Sequence, residues 1–155
     1  SPLDLDKAQS IGIVYAANTH QEQEAIKTFY NNLKIDEKKV FLVEYIDAEA
    51  NPDNILKTRD YIFITRNDLN FWHLPKKSAI EDFTSQHFDM VINLSTSHYL
   101  ALHYLMAIVH AEFKVGTYDP AYAYIYDFMI NLSPETTIND MIETLKYYLK
   151  SIHKN

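Results

Sequence analysis

Short, wholly apolar runs alternate along this chain with longer segments whose apolar positions recur at helical spacing. Ile11-Gly12-Ile13-Val14-Tyr15-Ala16 is apolar throughout and rich in β-branched residues. A run with no polar face reads as a strand covered on both sides, as in a parallel sheet. Thr19-His20-Gln21-Glu22 follows at once, with Thr19 placed to cap a helix and Glu22 placed to reach back to it. Ala25, Ile26, Phe29, Tyr30 and Leu33 then fall on one helical stripe. Lys39 to Ile46 and Tyr61 to Thr65 return to strand character, and the polar segment between them carries turn chemistry at Asn51-Pro52-Asp53.

The second half repeats the alternation. Residues 66–74 read as irregular, and Pro75 opens a helix through about Gln86. Asp89 to Leu94 is the next buried strand. Ser95-Thr96-Ser97 is placed to cap a helix from His98 to about Ala111. Phe113 to Gly116 and Tyr126 to Leu132 read as strands, with Tyr118 to Tyr124 as a loop between them. Ser133-Pro134 reads as the start of the last helix, whose stripe is Ile138, Met141, Ile142, Leu145, Tyr148, Leu149 and Ile152. The order β-α-β-β-α-β-α-β-β-α argues for an α/β fold. The expected form is a three-layer, doubly wound, mostly parallel sheet of about six strands, Rossmann-like or flavodoxin-like, with antiparallel edges where two strands are joined directly. One domain is expected to span residues 1–155.

Charge changes the choice of partner. The formal net charge is -7, and no basic cluster exceeds Lys38-Lys39 or Lys76-Lys77. Nucleic-acid binding needs a cationic surface that displaces counterions from phosphate, so it is not expected. The longest apolar stretch, Tyr99 to Val109, is broken by His103. A spanning helix needs about 20 residues, so no membrane partner is expected. With no signal peptide visible, the expected compartment is the cytoplasm. Ser1 is not a start methionine, which leaves an upstream segment open.

Counts remove several chemistries. There is no cysteine, hence no thiol nucleophile, thiolate metal site or disulfide. The two glycines, Gly12 and Gly116, stand far apart, so neither a dinucleotide fingerprint nor a P-loop can form. No Gly-x-Ser-x-Gly elbow occurs. Only Arg59 and Arg66 could form a bidentate clamp on an anion. His98, His103 and His110 are spaced five and seven apart; a helical zinc pair is four apart, so these read as core or partly exposed histidines. No cofactor, metal site or catalytic group is expected.

In open α/β sheets ligands bind at the carboxyl ends of the strands, where the strand order reverses. Two turns qualify, Asn18-Thr19-His20 and Ser95-Thr96-Ser97-His98. Each combines hydroxyls and a histidine with helix N–H groups that favour an anion, set against the plainer role of capping a helix. The expected ligand-binding residues are Asn18, Thr19, His20, Ser95, Thr96, Ser97 and His98, with Tyr118 and Asp119 closing the rim. Trp72 is expected to dock on the core. Tyr122, Tyr124 and Tyr126 divide evenly between an edge-strand face and a ligand or interface surface. The pairs Glu81-Asp82 and Asp47 with Glu49 read as solvated.

Asp68-Leu69-Asn70-Phe71-Trp72 with Pro75-Lys76, and Phe88 to Leu94 running on to Ala111-Glu112-Phe113-Lys114-Val115-Gly116, form a recognisable pattern. With Ser10 to Ile13 in front and Tyr126 to Ile130 behind, the chain resembles a family of small bacterial proteins of unknown function. The resemblance implies a Rossmann-like fold and no activity. A weaker one is to the N-terminal half of heptosyltransferase-like glycosyltransferases, which also run from a Phe-Asp-x-Val-Ile-x-Leu strand through an apolar helix to a Lys-Val-Gly strand. Those enzymes hold the nucleotide sugar mainly in a second domain. The leading expectation is therefore a noncatalytic domain that binds a small anionic ligand or a protein partner. The alternatives are a transferase or hydrolase acting on an anionic or sugar-like substrate, with His20 or His98 as base, and a homodimeric interaction subunit using the tyrosine loop or Trp72.

Overall fold

A computed structural model describes residues 4–49 and 58–151. The expected turn at Asn51-Pro52-Asp53 and the stripe position Ile152 lie outside them. The strands are β1 (Ser10–Tyr15), β2 (Lys39–Ile46), β3 (Tyr61–Thr65), β4 (His87–Asn93), β5 (His110–Thr117) and β6 (Phe128–Ile130). The helices are α1 (His20–Ile35), α2 (Lys77–Thr84), α3 (Leu100–Ile108) and α4 (Ile138–Ser151). The strands form one sheet in the order β3-β2-β1-β4-β5-β6, and every pairing in it is parallel.

Among the described residues the sheet therefore has no antiparallel edge strand. Fourteen residues separate β2 from β3 and ten separate β5 from β6, within the length that a parallel connection needs. The strand order is the Rossmann order rather than the flavodoxin one. The chain winds outward to β3, returns, and winds the other way from β4, so the reversal lies between β1 and β4.

Both faces of the central strands are buried. Ile11, Ile13 and Tyr15 pack with Met90 and Ile92 under α1 and α4. Val14, Val43 and Val91 pack with Ile80, Phe83, Leu102 and Leu105 of α2 and α3 on the opposite face. Alternation of side chains along each strand divides these two cores, and both need apolar residues. That is why the strands read as continuous apolar runs. No helix among the described residues is long and apolar enough to cross a membrane.

Helix starts moved where polar groups found partners elsewhere. α3 begins at Leu100 after Tyr99, which makes no side-chain cap bond, because the Ser95 and Ser97 hydroxyls are bonded to the β1–α1 corner. It ends at Ile108, since β5 takes the chain from His110 to pair beside His87. α4 starts at Ile138 rather than Ser133. The Thr136 N–H donates to the Ser133 carbonyl, closing a turn around Pro134. Thr137 instead accepts the Asp140 N–H on its hydroxyl and the Met141 N–H on its carbonyl, the two bonds of an N-cap.

Trp72 does not dock on the core. It is 72% exposed, Phe71 is 87% exposed, and the two rings meet edge to face at 5.3 Å. The turn that presents them is built by Asn70, whose side-chain oxygen accepts the Trp72 and Leu74 N–H groups. His73 takes a φ of 62°, a left-handed conformation costly for a non-glycine residue.

Candidate functional site

Parallel pairing of β1 with β4 puts the two Ser/Thr-rich turns side by side. The Leu94 N–H donates to the Val14 carbonyl at 2.9 Å, carrying the ladder past the end of β4. The Ala16 N–H donates to Ser95 Oγ at 2.9 Å. Asn18 Nδ2 donates to Ser97 Oγ at 3.3 Å, and the Tyr99 hydroxyl donates to Asn18 Oδ1 at 3.2 Å. Thr117 Oγ1 on β5 donates to the Ser95 carbonyl at 3.2 Å. Ser95 thus ties β1, β4 and β5 together and is buried. The α1 cap is formed as well. Thr19 Oγ1 accepts the Glu22 N–H at 3.1 Å, and Glu22 reaches back to the Asn18 N–H rather than to Thr19.

Over these corners lies a cavity of about 730 Å³. From the first corner and α1 come Thr19, Gln21 and Glu22, and from the second Thr96, Ser97 and His98. β5 supplies Thr117 and Tyr118, and the β6–α4 connection supplies Asn131 to Pro134, Thr136 and Thr137. Ile138 and Asn139 bring in the first turn of α4. Of the sequence-derived candidates, Thr19, Thr96, Ser97, His98 and Tyr118 line the cavity. Asn18 and Ser95 brace the corners behind it. His20 is exposed and stands 3.7 Å from Glu24 on its own helix. Asp119 is not a lining residue, but its Oδ2 is 3.7 Å from His98 Nε2.

Composition did not single out the β6–α4 side of the cavity, although Asn131, Ser133, Thr136, Thr137 and Asn139 cluster at and just beyond the end of the last predicted strand. The strand-end rule that picked the other two corners applies there equally. The lining contains no lysine or arginine. Two helix amino ends converge on it, those of α1 and α4, each worth roughly half a positive charge. Glu22 sits at one of them and offsets it.

Beneath His98 runs a buried chain of hydrogen bonds. His98 Nδ1 is 3.0 Å from His103 Nε2. His103 Nδ1 is 2.9 Å from the Tyr126 hydroxyl, and Asn93 Nδ2 donates to that hydroxyl at 3.0 Å. The Ser95 N–H donates to Asn93 Oδ1, which fixes the Asn93 amide orientation. The Tyr122 ring stacks on His103 at 3.7 Å and 7°. Burial first, and then the neighbouring His98, push the His103 pKa down to about 4. Burial pushes Tyr126 up to about 12. At neutral pH both are uncharged.

Donor counting then sets the direction of the chain. Asn93 donates to the Tyr126 oxygen, so the Tyr126 hydrogen goes to His103 Nδ1; otherwise a buried hydroxyl hydrogen lacks an acceptor, at a cost of about 1–3 kcal/mol. Neutral His103 carries its proton on Nε2 and gives it to His98 Nδ1. His98 in turn carries its proton on Nε2, the atom on the Asp119 side. The lone pair of His98 is occupied. Among the described residues no hydrogen bond joins His98 to His20 or to Ser95, the partners a base at His98 would need for a nucleophile pair.

A second buried polar group stands outside the cavity lining. Glu44 on β2 is 3% exposed and accepts from the Tyr15 hydroxyl at 2.6 Å and from Gln23 Nε2 at 2.8 Å. Burial, and then the bond to Glu44, drive the Tyr15 pKa far upward. Nothing in the strand run Lys39 to Ile46 marked this carboxylate as buried. Asp47, by contrast, is exposed and pairs with Arg66. Among the described residues no group of three or more His, Asp or Glu is placed to hold a metal ion.

An all-parallel sheet in Rossmann order, with a polar cavity at the carboxyl ends of its inner strands, defines a Rossmann-like domain. The chain belongs to the family of unknown function DUF6913, whose pattern matches residues 1–152. Solved structures that share the fold include two of one enzyme. One is the E. coli heptosyltransferase WaaC with ADP, at a TM-score of 0.53 and 14% identity, covering 94% of this chain and 48% of that one. The other is the same enzyme with ADP-2-deoxy-2-fluoro heptose, at 0.52 and 13%, covering 92% of this chain and 48% of that one. The chain thus spans about half the length of these proteins, and the likeness concerns the fold alone. Among curated proteins none matches in sequence.

Proposed function

We propose that this chain is a noncatalytic domain that binds one small, polar, hydroxyl-bearing ligand at the carboxyl edge of its sheet. The observation that carries this is the cavity of about 730 Å³ over the β1/β4 reversal, lined largely by Ser, Thr and Asn. Its size suits a small metabolite. The two helix amino ends suit a single anionic group, and the absence of lysine and arginine argues against a polyanion. A sugar, or a sugar with one phosphate, meets both conditions. Two features favour binding over catalysis: the Ser95 hydroxyl is buried and bonded to Ala16, and the His98 lone pair is occupied.

The test is an amide NMR titration with a methyl hexoside, a hexose monophosphate and inorganic phosphate. Shifts confined to Gln21, Ser97, Thr137 and Asn139 are expected with one of the first two probes. Thr96→Val should weaken that binding about tenfold, the loss of roughly one hydrogen bond. Unperturbed amides at these positions with all three probes would end the reading.

Phe71 and Trp72 favour a second reading, a homodimer formed through their turn. Exposed tryptophan is the residue type most enriched at interface hot spots. The chain has a single tryptophan, so its emission reports directly on that turn. Dimerisation predicts a blue shift with rising concentration and a doubled mass by light scattering, both abolished in Trp72→Ala. A monomer with unshifted emission at millimolar concentration excludes it.

A further inference from the structure

We propose that His98 and Asp119 form a hydroxyl-reading pair, with His98 held as a fixed donor by the buried chain through His103, Tyr126 and Asn93. The proposal rests on the ligand reading above and names which group of the ligand is recognised, and by what. His98 Nε2 and Asp119 Oδ2 are 3.7 Å apart, beyond the reach of a hydrogen bond to each other. An oxygen about 2.8 Å from both reaches them from one side of the line that joins them, bridging the pair. His98 lines the cavity, and its side chain is 34% exposed; that of Asp119 is 30% exposed.

A hydroxyl answers this pair with one group, because it accepts from an N–H and donates to a carboxylate at once. A phosphate oxygen or a carboxylate can accept from His98 but meets the Asp119 charge with no hydrogen to give. An amine can donate to Asp119 but opposes the His98 N–H. The pair therefore selects a sugar hydroxyl over an anionic or cationic group at this spot. An anionic group, where the ligand carries one, belongs at the helix amino ends.

Selection depends on the tautomer. If His98 carried its proton on Nδ1, the lone pair on Nε2 would face Asp119 and the pair would present two acceptors. The buried chain prevents this, since the His103 Nε2–H already occupies His98 Nδ1. Asp119 is fixed separately, with its other oxygen accepting the Ala121 N–H at 2.9 Å. Tyr126 and Asn93 are thus positioning residues: they touch no ligand, yet they decide what His98 offers to one.

Histidine ¹⁵N chemical shifts of the free protein at pH 7 test the tautomers, and titration with the methyl hexoside tests the pair. Nε2–H tautomers are expected for both His98 and His103. Tyr126→Phe keeps the ring but removes the donor; it should mix both tautomers and weaken the glycoside about tenfold. Asp119→Ala should weaken it similarly, while Asp119→Asn, which retains an acceptor oxygen, should recover most of the loss. An Nδ1–H tautomer on His98, or wild-type affinity in Asp119→Ala, overturns the pair while leaving glycoside binding intact. Correct tautomers with binding of neither the methyl hexoside nor the hexose monophosphate to the wild type overturn the pair together with the ligand reading.

Discussion

Gly116→Ala is expected to destabilise the protein by about 3 kcal/mol, at the upper end of what overpacking a core costs, and to unseat the chain beneath His98. Gly116 lies on β5 beside Met129 of β6 and is crossed by the Tyr126 ring. A β-carbon there would stand 2.8 Å from Tyr126 Cδ1 and 2.9 Å from Cζ, well inside contact distance. The ring has little room to retreat, being 9% exposed and held at its hydroxyl by Asn93 and His103. The better strand propensity of alanine returns only a fraction of the loss. Urea unfolding read by circular dichroism gives the magnitude. Histidine NMR should show the His98 and His103 tautomers mixed in the variant. An unfolding midpoint equal to that of the wild type would mean that Tyr126 does not lie over β5.

The second large effect is on pH dependence. His103 is 3% exposed, and its folded pKa is lowered from 6.5 to about 4. Below pH 6.5 the unfolded chain takes up a proton at this residue that the folded protein refuses. Stability therefore falls as pH drops from 6.5 toward 4, and His103 contributes no further change below that. The full contribution is about 3 kcal/mol. Other groups also titrate in this range, so the informative quantity is a difference of differences. The wild type should lose about 2–3 kcal/mol more between pH 7 and pH 4.5 than His103→Gln does. The variant has its own offset at pH 7, which cancels. Equal losses in the two proteins would show that His103 takes up its proton in the folded state as readily as in the unfolded one.

The fold was largely legible because its signals are local. Ile11 to Ala16 is apolar on both faces, as a strand covered on two sides is, and Met90-Val91-Ile92 gives Asp89 to Leu94 an apolar centre of the same kind. Thr19 with Glu22 marked the start of α1, because both partners of that cap lie within one turn. The cavity lining was legible where it follows strand ends, which picked out Thr19, Thr96, Ser97, His98 and Tyr118 as lining residues. It was misread where a polar group had a distant rival for its bonds. Ser95 has the chemistry of a helix cap, yet its hydroxyl accepts from Ala16, 79 positions away. Ser133-Pro134 suits a helix start and a turn equally, and Thr137 took the cap. His98 and His103 were weighed for metal spacing, while the partner that gives them a role, Tyr126, lies 23 positions further on.

By itself the amino-acid sequence determined the kind, number and order of the elements, since each follows from a pattern of apolar positions inside a short local window, the elements being three to sixteen residues long. It also excluded thiol, dinucleotide-fingerprint and P-loop chemistry by residue counts. The tertiary structure alone decided that the strands run β3-β2-β1-β4-β5-β6, that every edge is parallel, and which polar side chains remain available at the surface of the cavity. Those outcomes depend on pairing between residues far apart in the chain. A hydroxyl or imidazole shows the same chemistry in sequence whether a neighbour 79 positions away takes its hydrogen bond or leaves it open.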